Sequence, residues 1–161
     1  MEPEVKIGII SDTHDNIPKI KSAVKIFKEK SVGLILHAGD FIAPFSLVPI
    51  IESSIEWYGV FGNNNGEKTG LMEKSKGKIK QGPWEILVDN KRILLGHNIA
   101  EISQRFSGYD IIICGHTHNL VVEKQDNTLI INPGECGGWL YEKSTVVLLD
   151  TEDMQHQICE V

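Results

Sequence analysis

Three short apolar segments in the first 61 residues each end in a polar loop. The segments are residues 5–10, 34–36 and 55–61, and the loops that follow them are residues 11–16, 37–40 and 62–66. Short apolar runs of this kind are typical of strands that are covered on both faces. In open α/β sheets, binding sites form beyond the carboxyl ends of the strands. The pattern therefore predicts βα units with functional residues in these loops.

The rest of the chain changes from helix-linked strands to hairpins. Asn16 is predicted to cap a helix with Pro18 in its first turn, and this helix ends near residues 31–33. A short helix is predicted at about residues 44–51, and residues 67–82 are predicted to be irregular with one helical turn. Later strands are predicted at residues 84–88, 92–95, 111–114, 120–124, 128–131, 144–149 and 155–161, with a helix at residues 99–106.

This order of elements predicts an α/β fold. Two mixed β-sheets packed face to face and flanked by helices, a four-layer αββα sandwich, would accommodate βα units first and hairpins later. The chain of 161 residues is long enough to bury a large core. Because it contains no repeat, linker or low-complexity tract, residues 1–161 are predicted to form a single domain.

Composition limits the partners that such a chain can bind. The formal net charge is −6, which argues against a general binder of nucleic acids or anionic membranes, because phosphate binding depends on clustered Lys and Arg. The exception is a run of lysines at alternate positions from Lys74 to Lys80. We interpret this run as a solvated edge strand or loop protected by its charges.

The cysteines and the chain start favour a cytoplasmic protein. Cys114, Cys136 and Cys159 are an odd number without a CxxC pair, which is typical of reduced thiols rather than a disulfide framework. The N-terminus lacks the basic and apolar regions of a signal peptide, and no apolar run approaches membrane-spanning length.

A Gly-His-x-His sequence, residues 115–118, follows the apolar run 111–114. Alternate side chains of an extended segment point to the same side, so His116 and His118 can converge on one ion. Gly115 allows the tight turn that would aim them. Taken alone, the pair is also compatible with a polar strand edge, and the other loops decide between the two interpretations.

Each strand-end loop supplies an imidazole, carboxylate or amide that can bind a metal. These residues are Asp12, His14, Asp40, Asn63, His97, His116 and His118. Seven donors are too many for one ion, whereas two ions that share one carboxylate would use them all. Imidazole and carboxylate without thiolate favour Mn, Fe, Co, Ni or Zn over Ca or a cysteine-type zinc site. Helix capping or a simple turn would explain each residue alone, but not the whole set.

The order of these motifs resembles the calcineurin-like metallophosphoesterases, in particular the small single-domain YfcE-like phosphodiesterases. The motifs are Asp12-Thr13-His14, Gly39-Asp40, Gly62-Asn63, His97 and Gly115-His116-Thr117-His118. The resemblance extends from Ile7 to about Leu149. It implies a cytoplasmic hydrolase that acts on a small phosphate ester, with two divalent transition-metal ions as cofactors.

The resemblance also implies a role for each motif residue. One ion would be held by Asp12, His14, Asp40 and His118, and the other by Asp40, Asn63, His97 and His116. Manganese is the first expectation, with nickel, iron, cobalt or zinc as alternatives. Asp40 would bridge the ions, a hydroxide between them would be the nucleophile, and Asp40, Asn63 and His97 would be the catalytic residues.

Three positions depart from the family pattern. Asn64 stands where many relatives have a histidine that protonates the leaving group, and Asn65 stands where the small branch often has an acidic residue. Gly96-His97-Asn98 replaces the common His-Gly-His. A missing general acid costs about 10²–10⁴-fold in rate. We therefore expect a preference for good leaving groups, such as those of activated diesters.

Other functions and residues remain open on the sequence alone. A phosphomonoesterase and a non-catalytic scaffold like the retromer subunit of the same fold are the alternatives to a phosphodiesterase. A nuclease is disfavoured by the charge. His37 is expected to pack beside the site rather than bind metal, and His156 to lie on the surface. The sequence leaves open whether Glu135 and Cys136 line the cleft, and whether Trp139 and Tyr141 form a patch for homo-oligomerisation.

Overall fold

The computed structural model describes residues 4–161 and contains two β-sheets. Residues 1–3, which belong to the N-terminal segment on which the prediction about a signal peptide rests, lie outside the described residues. The first sheet contains β1 (Lys6–Ile10), β2 (Leu34–His37), β3 (Glu56–Val60), β4 (Ile79–Lys80), β10 (Thr145–Asp150) and β11 (His156–Glu160). The second sheet contains β5 (Trp84–Val88), β6 (Lys91–Leu95), β7 (Ile111–Ile113), β8 (Leu120–Gln125) and β9 (Thr128–Pro133).

Both sheets mix parallel and antiparallel pairs. The first has the order β11-β10-β1-β2-β3-β4, in which β1 to β4 are parallel and β10 is antiparallel to β1. The second has the order β5-β6-β7-β9-β8, in which β6, β7 and β9 are parallel. The parallel strands of each sheet therefore end at one edge, where the polar loops are located.

The helices lie on the outer faces of the sheets. They are α1 (Ile17–Glu29), α2 (Val48–Glu52), α3 (Lys68–Ser75) and α4 (Ile99–Ile102), and a 3-10 turn at Pro44–Leu47 leads into α2. Ile20, Ala23 and Phe27 of α1 are buried on the first sheet. Ile102 of α4 is buried on the second sheet, beside Ile112.

The two sheets pack face to face through a separate apolar cluster. It joins residues of the first sheet, such as Ile7 and Val147, to residues of the second, such as Ile93 and Ile113. Side chains alternate between the two faces of a strand, so Ile10 instead packs in the cluster beneath α1. The predicted αββα architecture is confirmed.

The segment between β3 and β5 is more regular than predicted. Residues 68–75 form the full helix α3, and residues 79–80 form the short edge strand β4. The prediction of an irregular segment with one helical turn was wrong. Only Leu71 and Ser75 of this helix are buried, so its apolar spacing was too sparse to be recognised. In the lysine run, Lys80 lies on an edge strand as predicted, whereas Lys74 lies in α3.

The cysteines are unpaired, and two of them are buried in the described part of the chain. Cys114 and Cys136 are inaccessible, and burial raises the pKa of each thiol to about 12. They are therefore inert apolar residues at neutral pH. The possibility that Cys136 lines the cleft is wrong, because its side chain is packed in the core beneath α1. Among residues 4–161, no helix combines the length and the apolarity needed to cross a membrane.

Candidate metal centre

The strand-end loops of both sheets meet at one edge, and backbone hydrogen bonds join the loops within each sheet. The Asp12 amide donates to the Gly39 carbonyl at 3.0 Å, and the His14 amide donates to the Asp40 carbonyl at 3.1 Å. In the second sheet, the Gly115 amide donates to the His97 carbonyl at 2.8 Å. These bonds place the loops beside one another independently of any metal.

Four of the seven predicted residues form a first group. One ligand atom from each of Asp12, His14, Asp40 and His118 lies within 4.8 Å of the others. His118 Nε2 lies 3.3 Å from Asp12 Oδ1, and His14 Nε2 lies 3.3 Å from Asp40 Oδ2. Two imidazoles and two carboxylates at this spacing form a candidate site for a divalent transition metal.

The other three residues form a second group on the opposite side of Asp40. Asn63 Oδ1 lies 2.8 Å from His97 Nε2 and 3.0 Å from His116 Nδ1. His97 Nε2 also lies 3.4 Å from Asp40 Oδ1. The structure thus brings all seven predicted residues together, in two groups that contact different oxygens of one carboxylate.

Two donor atoms of the first group lack hydrogen-bond partners in the described part of the chain, and a metal ion would take the place of these partners. Within residues 4–161, buried Asp12 Oδ1 and His14 Nε2 have no hydrogen-bond partner. Buried polar atoms without a partner are costly, and a cation would satisfy both. His97 Nδ1 donates to the Ala38 carbonyl at 2.7 Å, which turns its Nε2 toward the second group. An anchored distal nitrogen is typical of metal-binding imidazoles.

The electrostatics of the first group favour a cation. Burial alone would raise the pKa of Asp12, but the nearby imidazoles of His118 and His14 and the hydrogen bond from Ser11 Oγ hold this pKa below the usual range. The Asp12 carboxylate, which lies 3.3 Å from His118 Nε2, raises the pKa of His118 to about 9, against the opposing effect of burial. In the metal-free protein His118 therefore carries a proton at neutral pH, and a metal ion would replace this proton.

Five of the seven candidate ligands are held in an unusual backbone conformation. Asp12, His14, Asp40, His116 and His118 all have positive φ, between 40° and 68°. Residues other than glycine rarely adopt this conformation, and such strain clusters at functional sites. The three glycines of the motifs allow close approach: a Cβ on Gly39 would lie 2.7 Å from His97 Nδ1, and one on Gly115 would lie 2.6 Å from Asp12 Oδ2.

Comparison with known proteins identifies the family. The family model described as the calcineurin-like phosphoesterase superfamily domain matches residues 5–154. The chain belongs to this superfamily. A phosphodiesterase from Methanocaldococcus jannaschii is 34% identical over 95% of this chain and 97% of its own. A solved archaeal phosphodiesterase, also 34% identical, has a TM-score of 0.90 and covers 98% of this chain and 100% of its own.

More distant structures share the calcineurin-like fold alone. Escherichia coli YfcE, a phosphoesterase, is 18% identical with a TM-score of 0.69, and the match covers 98% of each chain. Vps29 from Entamoeba histolytica, solved with zinc, is also 18% identical, with a TM-score of 0.71 and the same coverage. The resemblance drawn from the motifs is confirmed, and so is the expectation of an enzyme of the phosphoesterase class.

Two residues that the sequence singled out support the Asp40 loop of this phosphoesterase. His37 is fully buried: its Nδ1 accepts from the Gly39 amide at 3.1 Å, and its Nε2 lies 3.1 Å from Thr13 Oγ1. Burial lowers the pKa of His37 to about 3, so it packs as a neutral ring.

Asn64 donates from its backbone amide to Asp40 Oδ1 at 2.8 Å and from Nδ2 to Asp40 Oδ2 at 3.2 Å. Asn64 thus orients the shared carboxylate.

Glu135 is the residue of the site whose role the sequence left undecided. Its carboxylate is 1% exposed and accepts from His118 Nδ1 at 2.9 Å. It also accepts from the amides of Leu140 and Tyr141 at 2.9 Å and 2.7 Å. A carboxylate on the distal nitrogen of an imidazole orients the ring and strengthens it as a metal ligand. His118 and Glu135 are close because the β8–β9 hairpin pairs Leu120 with Pro133, and this register, continued by two residues, sets His118 opposite Glu135.

Replacing Glu135 by Gln is expected to weaken manganese binding by about 10- to 100-fold. The amide has one acceptor oxygen, so its NH₂ group must face either His118 Nδ1–H or the two backbone amides. Calorimetric titration of the metal-free protein with Mn²⁺ measures the change. Glu142→Gln is the matched control, since Glu142 is exposed in the same loop. Equal affinities for the two variants would show that Glu135 does not support the metal ligand.

Proposed function

We propose that the protein is a dinuclear-metal phosphodiesterase that hydrolyses a small phosphate ester. The observation that carries this proposal is the arrangement of the seven nitrogen and oxygen donors in two groups that share Asp40. The first ion would be bound by Asp12, His14, Asp40 and His118. The second would be bound by Asp40, Asn63, His97 and His116, so that Asp40 bridges the two.

The reaction divides between the ions and the protein. When bound, two divalent ions supply a water-derived nucleophile at neutral pH and stabilise the attacking and leaving oxygens of an in-line displacement. The residues of the chain hold the geometry: Asp40 sits between the groups, and Asn64 fixes both of its oxygens. Because the Asn64 amide has no acidic proton, it does not protonate the leaving group. A good leaving group is therefore favoured.

The choice of metal follows from the donors. Four imidazoles, two carboxylates and one amide suit Mn, Fe, Co, Ni or Zn, and manganese is our first choice. Among the described residues the group of candidate ligands contains no cysteine, and Cys114 Sγ lies in the core against the Ile131 carbonyl oxygen at 3.8 Å. We further propose that the substrate is a free small molecule in the cytoplasm.

The second candidate function is a protein-binding scaffold, which the likeness to Vps29 brings into consideration. That likeness, at 18% identity, concerns the fold alone. Asp12 Oδ1 and His14 Nε2, which have no hydrogen-bond partner among the described residues, favour the enzyme. A scaffold that binds a protein on some other part of its surface does not need a cleft with unpaired polar atoms and strained backbone. A phosphomonoesterase would use the same centre, but it needs more assistance to its leaving group than Asn64 provides.

Metal analysis and a substrate comparison test the proposal. The metal-free protein is titrated with Mn²⁺, and hydrolysis of bis(4-nitrophenyl) phosphate is compared with that of 4-nitrophenyl phosphate. We expect two ions per chain and a kcat/KM for the diester that exceeds that for the monoester by roughly tenfold or more. Two bound ions with no hydrolysis of either ester would favour the scaffold. A faster monoester reaction would favour a phosphomonoesterase, and failure to bind metal would contradict the centre itself.

A further inference from the structure

Three consecutive apolar side chains are exposed beside the metal centre. Trp139, Leu140 and Tyr141, which we call the aromatic rim, are 65%, 60% and 54% exposed. Single exposed apolar residues are common on protein surfaces, but a contiguous group usually marks a binding site.

The aromatic rim is attached directly to residues that carry candidate ligands. Trp139 Nε1 donates to the carbonyl of His14 at 3.2 Å. The amides of Leu140 and Tyr141 donate to Glu135, whose carboxylate also accepts from His118. The rim is thus hydrogen-bonded to the backbone of His14 and is connected to His118 through the Glu135 carboxylate. Both histidines belong to the first group.

The segment that precedes the rim is docked on the Asp12 loop. The Cys136 amide donates to the Ser11 carbonyl at 2.9 Å, and the Gly137 amide donates to the Asp12 carbonyl at 3.0 Å. Asn16 Nδ2 donates to the Gly137 carbonyl at 2.7 Å. A Cβ on Gly137 would lie only 3.0 Å from the Asp12 carbonyl oxygen. The backbone that leads into the rim is therefore held in a fixed position against the first group.

A polar pocket adjoins the second group on the other side of the centre. It has a volume of about 150 Å³ and is lined by three members of that group together with Phe61, Gly62, Gln81, Asn98 and Glu101. The centre is therefore flanked by an apolar surface next to the first group and by a small polar pocket next to the second.

We propose that the aromatic rim binds an aromatic or apolar ester group of a phosphodiester, while the small polar pocket receives the second ester group. This inference rests on the proposed function and narrows its substrate class. A diester carries two substituents and a monoester only one, so two unlike surfaces around one centre match a diester. An aromatic ring stacked on Trp139 would gain both buried apolar area and ring–ring contact. The hydrogen bonds from the rim to His14 and Glu135 hold it beside the candidate metal ligands. A substrate bound at the centre is therefore favoured over a protein partner as the occupant of the rim.

The test uses two phosphonates that differ only in their organic group. Phenylphosphonate and methylphosphonate are titrated into the manganese-loaded wild type and into the Trp139→Ala variant, and calorimetry reports binding. We expect the Kd of phenylphosphonate to rise about fivefold in the variant, while the Kd of methylphosphonate stays unchanged. Leu87→Ala is the control, since Leu87 is 68% exposed on β5 outside the centre, and it should change neither affinity.

The possible outcomes separate the two proposals. If both phosphonates bind Trp139→Ala as they bind the wild type, or if both are weakened equally, the aromatic rim does not select the organic group and the inference is overturned. A change in oligomeric state without a change in phenylphosphonate affinity would assign the rim to self-association instead. If the wild type itself binds no phosphonate and hydrolyses no diester, the proposed function fails. Unchanged Mn²⁺ affinity in Trp139→Ala, measured in parallel, excludes damage to His14.

Discussion

Replacing Asp40 by asparagine is expected to lower kcat for a diester by about a thousandfold or more and to reduce the bound metal well below two ions per chain. Asp40 is 1% exposed, and its two oxygens face His14 Nε2 and His97 Nε2 at 3.3 Å and 3.4 Å. Asparagine removes the shared negative charge and replaces one of these oxygens with an NH₂ group. That group cannot bind a cation, so one donor group loses its Asp40 ligand atom and both lose the negative charge.

The fold should survive this substitution. Asparagine has nearly the volume of aspartate, and its remaining oxygen can accept one of the two Asn64 hydrogen bonds. Metal content by elemental analysis, diester turnover and the thermal unfolding midpoint of the metal-free protein are measured together. Asp15→Asn is the control, because Asp15 also has a positive φ and its Oδ1 accepts from the Ala43 amide, a bond that asparagine keeps. Wild-type turnover in Asp40→Asn would exclude the bridging role.

The sequence was sufficient to find the seven candidate ligands because each lies at a strand end that apolar patterning marks. Ile111 to Ile113, for example, are all buried in β7, and the Gly-His-x-His turn follows at once. Parallel strands then bring loops that are distant along the chain to one edge. The assignment of Asp40 to both ions came from the family resemblance and stays a prediction, while its two oxygens lie near His14 and His97.

Features that depend on strand register and on contacts between loops could not be predicted from the sequence. Glu135 faces His118 because of the register of the β8–β9 hairpin, which pairs Leu120 with Pro133, and the sequence of the turn does not specify that register. The positive φ of residues such as Asp12 and His116 is imposed by the surrounding loops and opposes local preference. Likewise, Asn64 was treated as the loss of an acid, whereas its contact with Asp40 requires knowing how the loops after β2 and β3 approach each other.

Replacing Gly62 by alanine is expected to lower kcat for a diester by about a hundredfold, although Gly62 has no side chain to contribute. A Cβ at this position would overlap Asp40 Oδ1 and would lie 2.8 Å from the Asp40 amide and 2.9 Å from His97 Cε1. Backbone atoms cannot yield as a flexible side chain would. The added methyl group must therefore push the shared carboxylate away from both donor groups, since close packing transmits the displacement.

The cost in stability should be smaller than the cost in catalysis. Overpacking of this kind destabilises proteins by about 1–3 kcal/mol, whereas a misplacement of about 1 Å is enough for the loss of rate. Diester turnover, manganese stoichiometry and the unfolding midpoint are compared with those of Gly33→Ala. In that control the new Cβ would make an ordinary contact with Val5 Cγ1 at 3.5 Å, so activity should be unchanged. Two bound ions and full turnover in Gly62→Ala would contradict this prediction. Such a result would mean that the loop after β3 moves to accommodate the methyl group and that catalysis does not need the tight placement of Asp40.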